Sequence, residues 1–85
     1  MSNEIELAIE IVKNRFTPYK VIAENDNSFK IYCTRNKILT VSFKNNIYLV
    51  RESNDYGCKG GTLSTFSIVG LLDGLSAMGL VLKDW

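Results

Sequence analysis

The stretch YKVIAENDNSFKIYCTRNKILTVSFKNNIYLVRE, from Tyr19 to Glu52, decides the fold. Apolar and polar residues alternate in it with the strand period in four runs, Tyr19–Glu24, Phe29–Thr34, Ile38–Lys44 and Ile47–Glu52, separated by segments rich in Asn and Asp. Four antiparallel strands in a meander are therefore expected. Asn45-Asn46 suits a tight turn with both residues at positive φ, which sets Phe43 opposite Tyr48 and Val41 opposite Val50. Loops at Asn25-Asp26-Asn27 and Arg35-Asn36-Lys37 set Ala23 opposite Phe29, Val21 opposite Ile31, Cys33 opposite Leu39 and Ile31 opposite Val41. All three turns sort the side chains the same way. Tyr19, Val21, Ala23, Phe29, Ile31, Cys33, Leu39, Val41, Phe43, Tyr48 and Val50 share an almost wholly apolar inner face, and a mixed outer face is left.

An apolar inner face needs cover, and the flanks supply it. Before the meander, Ile5, Ala8, Ile9, Val12 and Phe16 fall at helical spacing, with Leu7 and Ile11 widening the stripe. Asn3 and Glu6 fit a capping box, Lys13 and Arg15 meet the negative end of the helix dipole, and Thr17-Pro18 stops the helix. After the meander, Ser53 to Gly61 reads as a polar connection, and Thr62 to Met78 as a second, largely apolar helix with Thr62 or Ser64 as N-cap, ended by Gly79 in the left-handed region. The expected architecture is a two-layer α+β domain spanning residues 1–85 in the order α-β-β-β-β-α. Both helices cover the inner face, and Leu80-Val81-Leu82 adds a short final strand. Thr65 to Leu82 carries Asp73 at its centre, which argues against a membrane span.

Composition narrows the function classes. Hydrophobic residues make up 46% of the 85 and aromatics 11%, ample for one packed core. Ten Lys and Arg against nine Asp and Glu give a net charge of +1, unlike a protein that coats nucleic acid or an anionic membrane. Two cysteines, Cys33 and Cys58, without any His leave too few ligands for a zinc site, and no cofactor motif is present. The acidic Met1-Ser2-Asn3-Glu4 start does not read as a signal peptide, so the expectation is a cytoplasmic protein with free thiols and no membrane. Frequent Asn beside Lys and Ile suggests an AT-rich genome, of a bacterium or one of its phages.

Four features carry functional readings. The outer face brings Lys20, Lys30, Lys44 and Arg51 beside Ile22, Tyr32, Ile38, Ile47 and Leu49, with Glu24 as the opposing charge, which is the make-up of a contact surface for an acidic partner. Gly57, Lys59, Gly60, Gly61 and Thr62 lead into the expected second helix, where backbone N–H groups and the dipole suit an anion; the glycine spacing is not that of a Walker loop. Gly70 and Gly74, with Ser67 and Ala77, form a stripe of small residues for close packing, against the first helix or across a dimer seam. Asp73 is an acid among apolar neighbours.

Two short resemblances touch the glycine-rich stretch. Gly57-Cys58-Lys59-Gly60-Gly61 resembles a structural segment of papain-like proteases, but without a His there is no base to activate a thiol. Thr40 to Leu72, with Lys59-Gly60-Gly61-Thr62-Leu63-Ser64 opening a helix, is similar to the strand-to-helix junction of a single-stranded DNA-binding fold of the positive-cofactor type, which implies a homodimer holding a strand against its sheet. The chain departs from that pattern in its N-terminal helix, its apolar second helix and its few basic residues near the junction.

The functional expectation is a non-catalytic protein, not an enzyme. It is a small inhibitor or adaptor of the kind phages and mobile elements direct against host defence factors, docking its outer sheet face or an edge strand on a partner with an acidic surface, as monomer or homodimer. The alternatives are a single-stranded nucleic-acid binder in which Tyr32 stacks a base, and a small-molecule or nucleotide binder at the glycine-rich loop.

Overall fold

The structure, a computed structural model, describes residues 3–18, 20–33, 37–54 and 59–81, without the side chain of Lys59. The elements run α1 (Asn3–Arg15), β1 (Lys20–Asn25), β2 (Ser28–Tyr32), β3 (Lys37–Lys44), β4 (Ile47–Asn54), β5 (Lys59–Thr65) and α2 (Ile68–Ala77). The five strands form one antiparallel sheet in sequential order, and the class is α+β. Among the described residues no helix is long and apolar enough to cross a membrane.

The turns explain the register. Asn45 and Asn46 sit at φ 54° and 63°, a conformation Asn tolerates better than other side chains do, and Lys44 pairs with Ile47 across them. Phe43 therefore opposes Tyr48, with ring centroids 4.6 Å apart, and Val41 opposes Val50. Val21 opposes Ile31 and Ala23 opposes Phe29 as expected, although an irregularity between Ala23 and Asn25 tightens the connection to Asp26-Asn27.

The β2–β3 register differs from the expectation. Ile31 pairs with Leu39 and Phe29 with Val41, and the Cys33 N–H donates to the Lys37 carbonyl at 3.0 Å. The connection is thus centred one position earlier than expected, which moves each partner by two. Because a strand alternates faces at every residue, a shift of two leaves every side chain on its expected side.

The larger correction concerns the segment after β4. Lys59–Thr65 is a fifth strand, and the second helix begins only at Ile68. Tyr48 pairs with Thr65, Val50 with Leu63 and Arg51 with Thr62. Thr62, Thr65 and the alternation about Leu63 favour a strand there. The cap is Ser67, whose hydroxyl accepts from the Gly70 N–H at 3.0 Å, rather than Thr62 or Ser64. At the other end the Gly79 and Leu80 N–H groups donate to the Ser76 and Leu75 carbonyls, with Gly79 at φ +101°, so the expected left-handed glycine cap is present. Leu80 and Val81 add no strand; the Val81 carbonyl instead accepts from the Thr17 N–H at 2.8 Å. Leu82 lies outside the described residues.

One apolar cluster joins the layers. Ile5, Ala8, Val12 and Phe16 at α1, Phe29, Ile31, Leu39, Val41, Tyr48 and Val50 of the sheet, and Leu71 and Leu75 of α2 are all buried in it. Helix α1 lies against β1, β2 and β3, and α2 against β5. Ala23, expected inside, is exposed on the edge strand, and Tyr19 lies outside the described residues.

The small residues of α2 have a structural use. A Cβ on Gly74 would stand 2.5 Å from Leu63 Cδ2, and one on Gly70 would clash with Thr65 Oγ1. The stripe seats α2 on β5, a strand absent from the sequence reading, and not on α1.

Candidate functional site: the outer sheet face

The pairings lay out the outer face in rows. Ile22, Lys30, Thr40, Arg51 and Thr62 stand side by side across all five strands. On one side of this row lie Lys20, Tyr32 and Ile38, and on the other Ser42, Leu49 and Ser64. Ile47 and Lys44 follow next to the Asn45-Asn46 turn. Each of these residues alternates with a core residue, so burial of Phe29, Ile31, Leu39, Val41 and Val50 holds the outer set in place.

The charges of the face are unequal in availability. Lys30 Nζ lies 3.0 Å from Glu24 Oε2, and that hydrogen bond and charge raise the Lys30 pKa above the usual lysine value. The Lys20 ammonium sits over the Tyr32 ring, 4.8 Å from its centroid. Lys44 and Arg51 have no ion-pair partner among the described residues. Half-buried Leu49 and Ile47 lie between them, and a shallow depression lined by Ser42, Lys44, Asn45, Ile47 and Leu49 opens there. A second depression is lined by Lys30, Thr40, Arg51 and Thr62 together with the carboxylates Glu24 and Glu52.

Both edges of the sheet are interrupted. Pairing shifts between Ala23 and Asn25 beside β1, which also carries Lys20 and Glu24, and between Arg51 and Ser53 beside β5. Such irregularities and charges blunt an edge against addition of a further strand.

The expected anion loop takes another form. Gly60, Gly61 and Thr62 lie within β5 and not at a helix N-terminus, so the dipole and the free N–H groups that motivated the site are elsewhere. A Cβ on Gly60 would meet Glu52 Oε1 at 2.8 Å, which explains a glycine beside this carboxylate, itself 3.6 Å from Lys37 Nζ. Gly57 and Cys58 lie outside the described residues, as does the Lys59 side chain. The junction similar to a single-stranded DNA-binding fold likewise lacks its helix, since Thr62-Leu63-Ser64 is strand.

Among the described residues no group of three or more His, Cys, Asp or Glu could hold a metal ion. Cys33 is half-buried, and burial is the main cause pushing its thiol pKa up, with Lys37 opposing and Glu52 adding to the shift. A raised thiol pKa makes the group a weak nucleophile at neutral pH. It also links stability to pH: unfolded chains ionise first near the usual thiol value of about 8.5, so folding stability should fall as pH rises through the unfolded and then the folded pKa. Thermal melting of wild type and Cys33→Ala from neutral to alkaline pH checks this. The variant should lose less stability over that interval, and parallel curves would refute the assignment. Asp73 is exposed on α2, and its position puts it outside the outer face.

Comparison with known protein families, with curated proteins and with solved structures finds no match to this chain.

Proposed function

We propose that the chain is a non-catalytic binding protein of the inhibitor or adaptor type, which docks its outer sheet face on a protein with an acidic surface. The observation that carries this reading is the pair of cations without an ion-pair partner among the described residues, Lys44 and Arg51, beside half-buried Ile47 and Leu49. An apolar centre with cations at its rim suits a protein surface of opposite charge, where the cations steer approach and the centre is desolvated. A track for nucleic acid is less well served. Lys30 is committed to Glu24, and the Lys20 ammonium occupies the Tyr32 ring that a base would stack on. The interrupted edges favour the face over strand addition as the docking surface.

The test uses tagged protein to capture partners from bacterial lysate, with wild type compared against Lys44→Glu/Arg51→Glu. A specific partner should lose about tenfold or more in affinity with the double variant. Lys20→Ala, whose charge is already engaged, should retain it. Binding of an oligothymidine at low salt, lost as salt is raised, would overturn the reading in favour of nucleic acid.

A further inference from the structure

We infer that the helix layer carries a second, independent surface on which another copy of this chain seats, across the flank of α2 that faces away from β5. Gly70 and Gly74 are used within the monomer against Thr65 and Leu63, so the close approach that small residues allow is not free for a dimer. The opposite flank is open. Val69 on it is 65% exposed, more open than Ile22 of the outer sheet face at 43%; Phe66, in the bend before the helix, is 80% exposed. Val69 and Leu72 line a cleft between α2 and the end of α1, together with Phe16, Arg15, Asp73 and Ser76.

The charges of this cleft choose the occupant. Arg15 and Asp73 line it together, and neither has an ion-pair partner among the described residues. Asp73 is the single charged residue in Ile68–Ala77. One cation and one anion beside an apolar strip are self-complementary under a two-fold axis: Arg15 of each copy meets Asp73 of the other. A partner surface of a single sign would set one of the two charges against its like. The net charge of +1 opposes the approach of two copies very little. Such a dimer leaves the outer sheet face open, so its failure would not touch the reading of that face, nor the reverse.

Sedimentation equilibrium of the full chain tests the inference, over concentrations from about 10 μM to about 1 mM, the range in which a modest interface is half-formed. Wild type should show a monomer–dimer equilibrium. Asp73→Arg should weaken it about tenfold or more by placing two arginines together, and Val69→Lys should do the same by charging the strip. Arg15→Asp/Asp73→Arg should recover the dimer, with circular dichroism confirming that each variant is folded. A wild type that stays monomeric across the range would overturn the inference. So would a dimer that both single variants leave unchanged, or a folded double variant that fails to recover association.

Discussion

Ile31→Ala is expected to remove about 2–5 kcal/mol of stability, as truncation of a fully buried aliphatic side chain does. A chain of this length has only roughly 4–13 kcal/mol in total, so the melting midpoint should fall by about 10 °C or more. Tyr32→Ser, one residue along the same strand, is expected to cost about 1 kcal/mol or less, since it removes half-exposed area and a contact with Lys20 but opens no cavity. The contrast is the sharpest check on which face is which. Thermal melting of both variants measures it, and the reverse order would mean that inner and outer faces are exchanged. The contrast also protects the proposed site: Tyr32 and Leu49 can be altered in binding assays only if the fold survives their replacement.

Gly70→Val should be clearly destabilising, although it adds apolar area and removes a helix-breaking glycine. A Cβ there would clash with Thr65 Oγ1 and stand 3.2 Å from both Thr65 Cβ and Ser67 Oγ. Thr65 is short and β-branched, so the atoms met are not the far end of a flexible side chain, and overpacking costs about 1–3 kcal/mol. Displacing the Ser67 hydroxyl from the Gly70 N–H removes the helix cap, about another 1 kcal/mol. These costs outweigh the gain of about 1 kcal/mol or less that any side chain offers over glycine in a helix. Gly61→Val is the control, because nothing lies within 4 Å of a Cβ at Gly61. Urea unfolding should show a much lower midpoint for Gly70→Val and little change for Gly61→Val. Equal midpoints would contradict the seating of α2 on β5.

The candidate site was legible as a set of residues, and its electrostatics were not. Alternation alone placed Lys20, Ile22, Lys30, Tyr32, Lys44, Ile47, Leu49 and Arg51 on one face, because a strand permits only two directions. Which of the cations are engaged depends on where side chains on neighbouring strands end. The approach of Glu24 to Lys30 accompanies the irregularity between Ala23 and Asn25, and no local pattern announces that irregularity. The apolar flank of α2 was hidden for another reason. A run such as Ile68–Ala77 is apolar on nearly every side, so its periodicity does not say which side is covered.

By itself, the sequence determined the first helix, four of the five strands, the tight turn at Asn45-Asn46 and the division of the meander into two faces. Each of these follows from local chemistry: helical spacing of apolar residues, the tolerance of Asn for positive φ, and strict alternation. Only the tertiary structure decided that Lys59–Thr65 is a strand. Its lone large apolar residue, Leu63, gives too weak an alternation to stand against the apolar run that follows, and what makes it a strand is the open edge of β4 beside it. That one placement turned the glycine-rich segment from a helix N-terminus into sheet. It gave Gly70 and Gly74 a partner within the chain, and it left Val69 exposed on the helix layer.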